Sequence, residues 1–250
     1  MTFRRRATAV VKKFLRQRGV MLDHYTCSTS LDLRLVKMLA AHGVSLVLDV
    51  GANTGGYATA LRAAGYRNGI LSFEPLSSAH SLLVLAARGD PNWAVAPRMA
   101  LGEQEANVTI NIAGNSASSS LLPMTSRHKG GAPESAYVGM ESVAVCRLDA
   151  IRHPLLDSPA SPFLKIDTQG YETQVLAGAA GILPKIVGVQ VEMSLRHLYQ
   201  GQSLWLEVIA SLETAGFELW ALVTGFFEAA TGRILQGDER FFLACLPVIR

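Results

Sequence analysis

The chain reads as an α/β fold: a doubly wound, Rossmann-like, seven-stranded and mostly parallel sheet with an antiparallel edge strand and helices on both faces. Three observations predict it. Short apolar runs alternate with segments of helical period over most of the length, the pattern of successive βαβ units. One run, Leu46–Val50, leads straight into Gly51-Ala-Asn-Thr-Gly-Gly56, as a buried strand does when it ends in a tight turn that opens a helix. At 250 residues and 49% hydrophobic, the chain suits one such domain with an added element and has enough apolar side chains for its core.

Residues 1–18 hold Arg4, Arg5, Arg6, Lys12, Lys13, Arg16 and Arg18 and no acid, whereas the rest of the chain has 16 basic and 20 acidic side chains. Phe3, Ala7, Val10 and Phe14 are spaced for one face of a helix. Such a helix suits an anionic membrane surface, or it packs on the domain with a solvated basic side. Ala7–Val11 is too short for the apolar core of a secretory signal, and no apolar run reaches 18 residues. The expectation is a cytoplasmic protein, with peripheral contact through residues 1–18 on the inner face of a membrane. Leu31, Leu35, Val36, Met38 and Leu39 predict a second helix ending near Gly43, so residues 1–43 form a helical extension and 44–250 the main domain.

Within that domain Leu46–Val50 is the first strand. A helix over 57–64 follows and stops at Gly65. Ile70–Phe73 is the second strand, Ser78–Arg88 a helix, and a third strand falls within Ala94–Leu101. The alternating Asn107–Ile112 and the later Ser142–Leu148 predict half-exposed strands. The Gly/Ser/Pro-rich stretch from Gly114 to about Gly139 lies between them, giving an insertion over about 105–148 that suits a lid or acceptor-side wall. The α/β rhythm resumes with a strand at Phe163–Ile166, a helix at Glu172–Ala180, and a strand at Ile186–Val191 ending at Glu192. A helix at Ser203–Ala215 follows, with Ser203 as N-cap. Phe217–Val223 and Arg240–Leu246 close the chain as an antiparallel pair at the sheet edge.

Ligands of open α/β sheets sit beyond the carboxyl ends of the strands. Asp49, Glu74, Asp167 and Glu192 stand at four such ends, beside the glycine turn. Glu74 directly follows a strand, 23 residues beyond Gly51, where a carboxylate takes hydrogen bonds from the hydroxyls of a ribose. Free N–H groups at the helix start would favour an anionic part of a ligand. The turn is not GxGxxG, however, and Asp49 would repel a pyrophosphate while suiting an ammonium group. A nucleoside carrying an ammonium group, S-adenosylmethionine, meets both demands. The three cysteines, Cys27, Cys146 and Cys245, form no CxxC pair and the histidines form no HExxH, which argues for a reducing compartment and against a His/Cys metal centre.

With these residues in place, the chain resembles the FkbM-type methyltransferases of the class I, S-adenosylmethionine-dependent superfamily. The matching pieces are Leu48-Asp-Val-Gly-Ala-Asn-Thr-Gly55, Phe73-Glu-Pro75, Ala100-Leu-Gly102, Ser118-Ser-Ser-Leu121, Leu148-Asp149, Phe163-Leu-Lys-Ile-Asp-Thr-Gln-Gly-Tyr-Glu172 and Val191-Glu192. The Lys-Ile-Asp-x-x-Gly-x-Glu segment is the most specific of them. The resemblance implies O-methylation of a hydroxyl on a sugar, glycolipid or natural-product scaffold, the acceptor being a small molecule or a lipid-linked sugar. It implies cofactor contacts at Gly51, Asn53, Gly55 and Glu74, with Met99 and Ala100 against the adenine.

A hydroxyl is a poor nucleophile until its proton is removed. Asp167, beside the expected methyl donor, is the candidate base. Lys165 shares its side of the strand and, being buried, needs an acid such as Asp167, Glu192 or Glu172. A structural ion pair joining strand ends, and a divalent ion held by Asp167 and Glu192, are the alternatives. His197 and Tyr199 follow Glu192 closely enough to face an acceptor or to be loop residues. An NAD(P)-dependent oxidoreductase and a silent nucleoside-binding module on a membrane are the rival functions. Nucleic acid is not expected as partner, because beyond residue 18 the chain is net acidic.

Overall fold

A computed structural model describes residues 11–157, 160–228 and 231–244. Phe3–Val10 of the amphipathic N-terminal face, and Cys245 and Leu246, lie outside the described residues. Residues 11–17 are helical (α1). The helix α2 (Leu31–Ala41) starts where the Ser30 side chain accepts from the Leu33 N–H and buries Leu35 and Leu39.

The main sheet holds seven strands: β1 (Leu46–Val50), β2 (Gly69–Phe73), β3 (Trp93–Val95), β7 (Pro162–Ile166), β8 (Gly188–Ser194), β9 (Phe217–Thr224) and β12 (Gln236–Leu243). Their order is β3-β2-β1-β7-β8-β12-β9. The first five are parallel, and β12 runs antiparallel to both β8 and β9. The final pair is therefore at the edge as expected, with its antiparallel member one strand in. Strand alternation sorts the core to two faces. Val47, Ile70, Phe163 and Phe242 pack with α2, α3 (Gly56–Ala63) and α4 (Ser77–Ala87). Leu48, Leu71, Leu164 and Val189 pack with α7 (Glu172–Gly178) and α8 (Trp205–Thr214) on the other. Each such side chain contributes about 1.5–3 kcal/mol by leaving water.

Strand order reverses between β1 and β7, so the loops after these strands diverge and open a crevice between them. Across the switch point the chains almost touch. The Asp167 N–H donates to the Val50 carbonyl at 3.1 Å, and a Cβ at Gly51 (φ 74) would lie 1.8 Å from the Asp167 carbonyl oxygen. Only glycine fits there.

The insertion differs most from expectation. The stretch 94–101 divides: its start belongs to β3, and Ala100–Leu101 (β4) joins β5 (Ala106–Ala113) and β6 (Tyr137–Cys146) in a separate sheet ordered β4-β6-β5. β6 begins five residues earlier than its composition predicts, because pairing with β5 extends it to Tyr137. A short helix, α5 (Ser126–Gly131), and a 3-10 turn at Pro133–Ser135 interrupt the polar stretch. A four-residue helix, α6 (Pro154–Asp157), precedes β7, and a two-stranded ribbon, β10 (Phe227–Glu228) with β11 (Arg233–Ile234), precedes β12. β8 does not stop at Glu192. It continues to Ser194, with β12 opposite each residue and Asp238 facing Glu192. α8 begins at Trp205, its entry fixed by the Glu207 carboxylate accepting from the Leu204 N–H; Ser203 Oγ is turned to Thr173 instead.

Candidate active site

At the switch point, a cleft of about 670 Å³ is lined by the glycine turn, the end of β2, the residues around β4, the serine-rich insertion and the Asp167–Gln169 turn. The glycine turn spends most of its donors on the chain at the end of β2. Gly51 and Ala52 N–H groups donate to the Phe73 carbonyl, Asn53 N–H to Glu74, and Gly55 N–H to the Ala52 carbonyl. These donors of the turn are taken up, whereas the first turn of α3, where an anionic part of a ligand was expected, has no side-chain cap. Gly55 (φ 90) serves the fold: it caps α3, and a Cβ there would come 2.9 Å from the Trp93 ring. It does not line the cleft, unlike Gly51 and Asn53.

Glu74 directly follows β2 and lies in the cleft, nearly enclosed. Its Oε2 accepts from the Asn53 N–H at 2.7 Å and its Oε1 from the Leu76 N–H at 2.8 Å. A carboxylate offers about four lone-pair directions, so two remain for hydroxyl donors. Burial pushes its carboxyl up to about 7, against the pull of those two N–H groups. Phe73, Leu76, Met99, Ala100, Leu101, Ile110 and Leu121 give the cleft an apolar side. The insertion closes the other side, where Ser116 Oγ donates to Asn53 Oδ1 at 3.3 Å. A buried carboxyl with spare acceptors and an apolar slot fit the nucleoside of S-adenosylmethionine.

At the β7 end, Lys165 is buried and held by four oxygens. These are Asp49 Oδ1 at 3.1 Å, the Gly51 carbonyl at 3.0 Å, the Val50 carbonyl at 3.4 Å and Asp167 Oδ2 at 3.5 Å. Burial works to lower the lysine pKa, but Asp49 and then Asp167 outweigh it and leave it raised. Its main partner is Asp49, not Glu192 or Glu172. Asp49 was expected beside a ligand's ammonium group. Its side chain is 0% exposed and is taken up by Lys165 and by the Ser72 hydroxyl at 3.2 Å, away from the cleft. The same alternation that buries Val47 turns Asp49 under α3.

Asp167 is different: its side chain is 35% exposed, and it lines the cleft. The Gln169 amide donates to Asp167 Oδ1 at 2.8 Å and to Glu192 Oε2 at 2.5 Å, bringing the two candidate acids together. Burial first, then Asp167 and Asp238, push the Glu192 carboxyl well above the usual range. Glu172 does not line the cleft. Its buried carboxyl, raised to about 7 by burial, accepts from the Thr168 and Gly170 N–H groups and so holds the turn. Tyr199 is no loose loop residue; it is fully buried, its hydroxyl donating to Gln169 Oε1 at 2.9 Å and set 3.0 Å from the Ser118 carbonyl. His197 is exposed. Gln169 and Asp238 carried no signal as single residues, since their roles come from a turn and a strand register. Among the described residues no group of three His, Cys, Asp or Glu side chains is arranged to hold a metal ion.

A sequence model described as the methyltransferase FkbM domain matches residues 49–219, more than half of the chain. No curated protein matches the chain. Solved structures with a similar fold include magnesium protoporphyrin IX methyltransferase from Synechocystis PCC 6803 with bound S-adenosylmethionine. That pair shares 9% identity over 94% of this chain and 96% of the other, at a TM-score of 0.47. An rRNA methylase from Streptococcus thermophilus shares 10% identity over 90% and 99%, at 0.47. The 1,6-didemethyltoxoflavin-N1-methyltransferase of Burkholderia thailandensis shares 9% over 86% and 80%, at 0.46. At such distances none of them bears on this chain's acceptor.

Proposed function

The chain belongs to the FkbM methyltransferase family and uses S-adenosylmethionine, and from that premise we propose that it methylates a hydroxyl oxygen on a sugar, glycolipid or natural-product acceptor. The observation that carries this reading is Asp167 in the lining of the cleft, joined to Glu192 through the Gln169 amide. Carboxylates accept from hydroxyls and repel phosphates, and beyond residue 18 the chain is net acidic, which favours a hydroxylated acceptor over nucleic acid.

In this proposal Glu74 holds the ribose, Gly51 and Asn53 border the rest of the donor, and Met99 and Ala100 face the adenine. When bound, the donor supplies a methyl group on a sulfonium centre that departs as a neutral thioether. Lys165 fixes the end of β1 to the end of β7 and so sets Asp167 at the cleft. Asp167 takes the acceptor's O–H proton as the new C–O bond forms, a contribution of about 10²–10⁴-fold. The Asp167→Asn variant should lose methyl transfer by about that factor while S-adenosylhomocysteine affinity, measured by calorimetry, stays near wild type. Unchanged turnover would remove Asp167 as base.

The acceptor is further proposed to be reached at a lipid surface, as a lipid-linked sugar. Supporting this, Val11, Phe14, Val20, Met21, Leu22 and Tyr25 are all exposed, Met21 at 77%, interleaved with exposed Lys13, Arg16 and Arg18. Among the described residues no helix is long and apolar enough to cross a membrane. Apolar side chains set among cations suit the interface of an anionic bilayer. Flotation with phosphatidylglycerol vesicles should fall with added salt and on Phe14→Ser/Met21→Ser substitution; binding indifferent to both would count against a lipid contact.

A further inference from the structure

The backbone of Gln169 sits at φ 55, a left-handed value that a residue other than glycine keeps only when its surroundings impose it. The surroundings here do so from three sides. Ser120 Oγ donates to the Gln169 carbonyl at 2.6 Å. Glu172 accepts from the N–H groups of Thr168 and Gly170, on either side of it. Tyr199 packs so close to Gly170 that a Cβ there would stand 3.0 Å from the tyrosine Cβ. Held this way, the side chain uses both ends of its amide: the nitrogen donates to Asp167 and Glu192, and the oxygen accepts from the Tyr199 hydroxyl. The reverse orientation would set the amide oxygen against two carboxyl groups, so the chemistry of the neighbours fixes it.

Two carboxyl groups this close repel each other unless donors or a proton lie between them. The charged groups around the pair are Lys165 on β7, Asp238 on β12 opposite Glu192, and Glu172 at the start of α7, with the Tyr199 hydroxyl beside the amide. Three of these four groups are acids or a phenol. The lysine is mainly engaged by Asp49, which leaves the Gln169 amide as the donor set between both carboxyls.

We propose that Gln169 is a positioning residue for methyl transfer: its amide clamps Asp167 and Glu192 side by side, and its bond from Ser120 latches that pair to the wall of the donor cleft. The inference rests on Asp167 being the base. Ser120 lines the cleft and the Ser118 carbonyl meets Tyr199, so the serine-rich insertion and the carboxyl pair form one hydrogen-bonded unit. Donor occupancy under the serine wall is thereby coupled to the geometry of the base.

Infrared difference titration of the protein with S-adenosylhomocysteine bound tests this without any acceptor. The band followed is the protonated-carboxyl band that disappears in Glu192→Gln. Gln169→Met keeps the side chain's length and removes both donors to the charged forms, so the midpoint should rise by about one pH unit. Tyr199→Phe keeps the amide but loses the hydroxyl that orients it, and should raise the midpoint by less. A folded Gln169→Met with an unmoved midpoint overturns the proposal. If that variant does not fold, an unmoved midpoint in Tyr199→Phe overturns it instead. Full turnover in Asp167→Asn would sink the base assignment, and the infrared midpoint reads the clamp independently of that result.

Discussion

At Glu74 burial and charge oppose each other, and the conflict has two measurable consequences. Its folded carboxyl lies at about 7, above the ordinary value of 4.5, because burial outweighs the two N–H groups it accepts from. A carboxyl raised on folding stabilises the protein fully below its unfolded value and loses that contribution as pH rises through the folded one. The melting temperature should therefore fall between about pH 4.5 and 7, less steeply in Glu74→Gln, with Glu172 adding a second share. Ribose hydroxyls donate to the charged form, so S-adenosylhomocysteine should bind roughly tenfold more tightly at pH 8 than at pH 5.5. Calorimetry across that range reads it; a flat wild-type profile, or one unchanged in Glu74→Gln, would contradict the ribose role. The place of Glu74 in the cleft was legible in the sequence because a strand end and a fixed distance from Gly51 define it. Asp49 was misread because adjacency to a glycine says nothing about which face of the strand a side chain takes.

Between elements, the register of the sheet creates what no single strand shows. Ser72, Asp49, Lys165, Gln190 and Arg240 are successive partners across β2, β1, β7, β8 and β12, and all are buried. Trp93 Nε1 donates to Ser72, Ser72 to Asp49, and Arg240 Nε to Gln190, making a polar row beneath the cleft. The strands themselves follow from alternation and glycine stops, which is why β1, β2 and β7 fall within a residue of their expected bounds. The order in which they pair is a long-range property, so Asp49 as the main partner of Lys165, beside the expected Asp167, and the meeting of Glu192 with Asp238 stayed hidden. Lys165→Met leaves the Asp49 charge buried with one hydroxyl, and should cost about 3–5 kcal/mol in urea unfolding. Adding Asp49→Asn should restore part of that. A loss under about 1 kcal/mol for the single variant would mean that the pair is not the tie between β1 and β7.

For the whole molecule, strand order places the crevice, Gly51, Asn53 and Glu74 line it from the ends of β1 and β2, and Asp167 lines it from the end of β7 with Glu192 joined through Gln169. Chain length, composition and the spacing of strand ends made that architecture readable; the insertion's two half-exposed strands were readable from alternation, but their pairing with β4 in a second sheet is a long-range property and was not. The most direct test of oxygen as the methylated atom is to incubate the protein with methyl-labelled S-adenosylmethionine and an extract of its source, and to identify the labelled product. An O-methyl ether on a hydroxylated small or lipid-linked acceptor, absent when Asp167→Asn replaces the wild type, is the predicted result. Label on nitrogen or in nucleic acid would contradict it.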